Sequence, residues 1–165
     1  MKLAVTSRMF VFAGLLAAPV PGSLQHSNPH PQPRAGDTRL AKLKQFFGDR
    51  GCPLADQSEE FLVAADENNL DWRLLPSISF IESSGGKDYR NNNVLGWDSC
   101  KRKFTSVTAA IHAVAHWLGN SKLYRHKSLD EILTTYNPAP NYPFRVKAVM
   151  RTLGATGVRT YAAVN

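Results

Sequence analysis

Cysteine is almost absent from this 165-residue chain, which has two, Cys52 and Cys100. No Cys-x-x-Cys pair accompanies them, and this argues against a structural zinc site. Long hydrophobic runs are missing too. The apolar stretch over residues 9–18 is too short to hold a chain across a bilayer, and no later segment is longer. No internal repeat and no sustained strand-like alternation occurs, which leaves little basis for a sheet. Acidic residues are in the minority, 13 against 20 Lys and Arg, for a net charge of +7. The basic residues are dispersed, and no helix-turn-helix or other reader motif is present, which argues against nucleic acid as a partner. The excess fits either plain solvated surface or contact with a polyanionic surface such as bacterial cell wall.

What is present organises the chain into segments. Lys2 and Arg8 precede the apolar run, and Pro19-Val20-Pro21-Gly22-Ser23 follows it. That is the layout of a secretory signal peptide over residues 1–22, with an uncleaved signal anchor as the alternative. The protein is therefore expected in the periplasm or outside the cell. Residues 23–37 are rich in Pro, Ser, His, Gln and Asn and read as a flexible linker in which His26 and His30 are isolated. In an oxidising compartment a single even pair of cysteines reads as a disulfide, Cys52–Cys100. Closing that loop would stabilise the fold by about 4 kcal/mol on a chain-entropy argument. Two buried free thiols are the other reading.

Residues 38–155 are long enough for one domain with its own core, followed by a tail over 156–165. Apolar spacing predicts an all-α fold. The first helix carries Leu40, Leu43, Phe46 and Phe47 from Thr38 to a stop at Gly48. Pro53 opens the second, with Leu54, Phe61, Leu62 and Ala65 on one face and Asn68-Asn69 at its end. Asp71 caps the third, and Pro76 near its start is expected to kink it. Thr105 or Ser106 caps the fourth, which carries Val107, Ala110, Ile111, Val114, Trp117 and Leu118 and stops at Gly119-Asn120. Ser128 and Glu131 make a capping box for a short helix with Leu129, Ile132, Leu133 and Tyr136. Pro143 starts the last, with Val146, Val149, Met150 and Leu153 inward and Gly154 at its end. Residues 87–104 lack a helical period and leave room for a small hairpin. His112 and His116 have a spacing that can bind metal, but no third ligand accompanies them, and they are placed beside the buried stripe or on a cleft wall.

The most informative stretch runs from Leu74 to Gly86. Leu75, Ile78 and Glu82 follow one another at helical spacing, with Leu74 and Ile81 beside them, so a single carboxylate shares an apolar stripe. Gly85-Gly86 then ends the helix and opens the backbone beside it. A carboxylate on an apolar face is either paired with a cation or capping a neighbour, or it is held protonated by desolvation and serves as a general acid.

The order Asp71-Trp72-Arg73-Leu74-Leu75, Glu82-Ser83-Ser84-Gly85-Gly86, Asn91-Asn92-Asn93-Val94-Leu95-Gly96-Trp97 and Tyr136-Asn137-Pro138 resembles the lysozyme-like superfamily of bacterial cell-wall glycosidases. The resemblance is greatest to the mannosyl-glycoprotein endo-β-N-acetylglucosaminidase-like domains, with the soluble lytic transglycosylases as cousins. It covers the chain from about Cys52 to Met150. It implies a lysozyme-like helical domain with Glu82 at a helix C-terminus lining a cleft, and cleavage of β-1,4 bonds between amino sugars of peptidoglycan. No metal or organic cofactor is implied, and a monomer is expected.

In that reading Glu82 protonates the glycosidic oxygen, and a second carboxylate, Asp98 or Asp88, attacks or activates water. On the transglycosylase route the substrate's own N-acetyl group attacks, and no second carboxylate is needed. Tyr136 matches the family tyrosine near the cleavage point, with a core tyrosine as the alternative. Ser83 matches the serine that orients the acid. Asn92, Asn93, Gly96 and Trp97 match the Asn-x-x-Gly turn and would floor the cleft, Gly96 by close backbone approach and Trp97 by a flat apolar face. The Gly-Leu-Met-Gln run of the transglycosylases is absent and Pro138 follows Tyr136-Asn137, which favours hydrolysis. A non-catalytic glycan-binding module on the same fold is the competing function.

Overall fold

The computed structural model describes residues 36–154, and within them the chain is all-helical. The elements are α1 (Thr38–Gly48), α2 (Ser58–Glu67), α3 (Leu74–Ser83), α4 (Val107–Asn120), α5 (Leu129–Tyr136) and α6 (Tyr142–Thr152), with 3-10 turns at Pro53–Gln57 and Trp97–Cys100. The expected signal peptide, nearly all of the linker and the C-terminal tail lie outside the described residues. Among the described residues no helix is long and apolar enough to cross a membrane.

α3 is the helix around which the others are arranged. Leu74, Leu75 and Ile78 are fully buried, and Ser77 and Ser79 are buried with them. α2 and α6 both pack against it, while α1 and α4 pack on α2 and α5 on α6. Each of these aliphatic side chains contributes about 1.5–3 kcal/mol by leaving water. The start of α3 is later than Asp71. The Asp71 carboxylate accepts the Arg73 N–H at 3.0 Å and pairs with the Arg73 guanidinium at 2.7 Å, and its carbonyl accepts the Leu74 N–H at 2.9 Å. These bonds make a turn ahead of the helix. Pro76 is then the third helical residue, a position whose N–H has no intrahelical acceptor, so it removes no helical bond and the ground for the expected kink falls away.

The fourth helix has the expected bounds: the Ser106 hydroxyl caps α4 by accepting the Ala109 N–H, and the helix ends at Asn120, with Gly119 inside its last turn. Gly119 is there for contact: a β-carbon on it would lie 2.5 Å from the Asn68 carbonyl oxygen, at the crossing with the end of α2. The Ser128–Glu131 capping box is present, and Ile132 and Leu133 bury the inner face of α5. α6 begins one residue before Pro143, at Tyr142, and buries Tyr142, Val146 and Met150.

Residues 87–104 form no hairpin, since no strand occurs among the described residues. The segment is stitched by its own asparagines. Asn91 Nδ2 donates to the Cys100 carbonyl, Asn92 Nδ2 to that of Phe104, and Asn93 Nδ2 to those of Trp97 and Arg102. Val94 and Leu95, both fully buried, pin its middle to the core.

Candidate active site

Glu82 is the next-to-last residue of α3 and half-buried. The chain behind it is locked by Ser83. The Ser83 hydroxyl donates to the Ser79 carbonyl at 2.8 Å and accepts the Gly86 N–H at 3.1 Å, while its carbonyl accepts the N–H groups of Gly86, Lys87 and Asp88. Ser84, Gly85 and Gly86 all take positive φ, turning the chain back over the segment before α2. A β-carbon on Gly85 would lie 2.6 Å from Cys52 Sγ, so this glycine faces the core under the helix and not the carboxylate. The expectation that Gly85-Gly86 opens the backbone beside Glu82 is corrected accordingly.

The backbone that faces Glu82 belongs to Gly96. A β-carbon there would stand 2.5 Å from Glu82 Oε2, and φ is +71°. Asn93, only 1% exposed, holds this stretch: its Oδ1 accepts the Trp97 N–H at 2.9 Å and its Nδ2 donates to the Trp97 carbonyl at 2.8 Å. Beyond Trp97 the chain is contorted, with Asp98, Ser99 and Cys100 all at φ between 51° and 62°. Non-glycine residues in this region are strained, and such strain concentrates at functional sites.

The result is a cleft of about 580 Å³ lined by Glu82, Gly96, Trp97, Asp98, Cys100, Arg102, Tyr124, Tyr136 and Asn137 among others. Aromatic rings form its wall. Trp97 stacks on Trp117 (centroids 4.7 Å apart) and meets Tyr136 edge-on at 5.5 Å, and the Arg102 guanidinium sits over Trp117 at 5.2 Å. Tyr136 itself stacks on Tyr142 at 6.1 Å. The Tyr136 hydroxyl donates to the Leu95 carbonyl. Burial pushes that hydroxyl well above the usual tyrosine range, and the Glu82 charge adds to the shift. Tyr136 therefore holds the chain just before Gly96 and keeps its proton while doing so.

Of the residues singled out from sequence, Glu82, Gly96, Trp97, Asp98 and Tyr136 line one cleft. Ser83, Asn92 and Asn93 do not: their polar groups are spent on helix and loop backbone behind it. Asp88 is exposed and outside the cleft lining. The expected disulfide is also corrected. Both cysteines are free: the Cys52 thiol is packed under Gly85 and directed at the Ser84 carbonyl 3.5 Å away, whereas Cys100 opens on the cleft. His112 is placed against carboxylates of α2, with Nε2 at 2.9 Å from Glu60 and Nδ1 at 3.4 Å from Glu67, away from the residues lining the cleft.

Arg102 and Tyr124 line the cleft without having been singled out from the sequence, and behind its wall stand Trp117, expected only as core, and Tyr142. Arg102 was hidden in the basic triplet Lys101-Arg102-Lys103, Tyr124 in an aperiodic turn, and Trp117 in a stripe that reads as core. Tyr142 lay one residue outside the expected start of the last helix.

No protein-family profile and no curated protein matches the chain. Among solved structures it is similar to a C-terminally truncated glycoside hydrolase domain from Salmonella typhimurium FlgJ. The two are 15% identical with a TM-score of 0.47, and the alignment covers 61% of this chain and 94% of that one.

Proposed function

We propose that this chain is an exported glycosidase that cleaves β-1,4 bonds between amino sugars of peptidoglycan, with Glu82 as general acid. The observation that carries the reading is the approach of bare Gly96 backbone to the Glu82 carboxylate at the base of an aromatic-walled cleft. A sugar ring needs a flat apolar face to lie on and a proton donor at its bridging oxygen, and this cleft offers both. Glu82 gives its proton to the glycosidic oxygen as the bond to the anomeric carbon breaks. Asp98, on the same cleft, is the candidate to activate water or attack, which supports hydrolysis of the N-acetylglucosaminidase type. The alternative within the same cleft is attack by the substrate's N-acetyl group, giving a 1,6-anhydro product.

Zymography on embedded cell wall, followed by mass spectrometry of the released muropeptides, tests this. Clearing with reducing N-acetylglucosamine ends is expected. Anhydro ends would move the protein to the transglycosylases, and binding without clearing would make it a glycan-binding module.

A further inference from the structure

Tyr142 opens α6 with only 2% of its surface exposed, and its ring lies within 9° of parallel to that of Tyr136. α6 packs along α3, whose last turn carries Glu82. The Tyr142 hydroxyl is sealed from solvent yet makes no hydrogen bond of ordinary length and angle. Buried hydroxyls seldom go without a partner, and the exceptions call for a reason. Burial, then Tyr136, then the charge and acceptor oxygens of Glu82 drive this hydroxyl far above the usual tyrosine range, so it retains its proton throughout the range in which proteins are folded. Its neighbours are already committed. Tyr136 donates to the Leu95 carbonyl and Ser83 to the Ser79 carbonyl, so neither has a proton left for Glu82.

We propose that Tyr142 is a positioning residue for Glu82, its buried hydroxyl donating to the carboxylate once the acid has released its proton. The proposal rests on reading Glu82 as the general acid. The Glu82 proton goes to the glycosidic oxygen, Tyr142 keeps its own, and the hydroxyl contributes a hydrogen bond to the charge left behind. An ionised carboxylate is a far better acceptor than the neutral acid, so the bond strengthens as the reaction proceeds.

Tyr142→Phe removes one oxygen and leaves the stacked ring in place. Two measurements on the full chain test the idea. The first is a cycle of unfolding curves for wild type, Tyr142→Phe, Glu82→Ala and the double variant. Run at a pH on the alkaline limb of the rate profile, where Glu82 has given up its proton, the cycle is expected to show non-additive effects, because each single change removes the same contact. Additive effects overturn the proposal whether or not the protein cleaves glycan. The second is kcat/KM against pH. Loss of a donor to the ionised form makes the acid weaker, so the alkaline limb in Tyr142→Phe should move to higher pH, with turnover reduced about tenfold. An unmoved limb overturns the positioning role. A wild-type protein that fails to cleave glycan refutes the general-acid reading instead, and the unfolding cycle still decides the contact.

Discussion

Gly96 and Glu82 are in direct contact across the cleft: a β-carbon on the glycine would fall 2.5 Å from one carboxylate oxygen and 2.8 Å from the carboxylate carbon. The contact joins two parts of the chain with different jobs. Glu82 ends the helix most deeply built into the core, and Gly96 belongs to a loop held by Asn93 and Tyr136. Gly96→Ala adds a methyl group where there is no room, on backbone at φ +71°. The left-handed conformation alone costs about 1–2 kcal/mol. Turnover should fall on the order of a hundredfold because the carboxylate is displaced, with a drop of a few degrees in Tm. Kinetics on a folded Gly96→Ala protein check this, and unchanged turnover would mean that the carboxylate does not work at this spot.

The cysteines should behave as two unlike thiols. Cys52 is 4% exposed and packed under Gly85, while Cys100 lines the cleft. Alkylation of the native protein should label Cys100 first and slow turnover by crowding the cleft, with Cys52 reacting after unfolding. Reductant should leave the unfolding midpoint where it was. A linked Cys52–Cys100 peptide in a non-reducing map of exported material would contradict this arrangement.

Tyr136→Phe removes the partner of the Leu95 carbonyl, which belongs to a fully buried residue. A buried acceptor left alone costs about 1–3 kcal/mol. The loop ahead of Gly96 is then loosened, and turnover should drop at least about tenfold with glycan affinity largely retained. Kinetics paired with a glycan-binding isotherm separate the two effects. Wild-type values for both would assign Tyr136 to packing alone.

The helical frame was legible in the sequence because burial repeats along a helix at fixed spacing. Leu43, Phe46 and Phe47 in α1, or Ile132 and Leu133 behind the Ser128–Glu131 box, follow from pattern and cap chemistry. Glu82 stood out because a carboxylate interrupted such a pattern. What failed were inferences from residue type to partner. Ser83, Asn92 and Asn93 are polar residues near the acid, but in a tight loop their first obligation is to unpaired backbone, and they are used up meeting it. The even count of cysteines carried no information about distance, and the fold places Cys52 and Cys100 in separate surroundings. Tyr142 was invisible for a related reason: it lies one residue ahead of the expected start of the last helix, and nothing in the pattern of that helix says that it packs against α3.

Glu82→Gln decides whether Glu82 donates the proton that breaks the glycosidic bond. The amide keeps the shape of the side chain beside Gly96 and cannot give up a proton at working pH. Release of muropeptides from purified cell wall should fall by about a hundredfold or more, with the unfolding midpoint nearly unchanged. A folded Glu82→Gln protein that turns over at the wild-type rate would mean that Glu82 is not the proton donor.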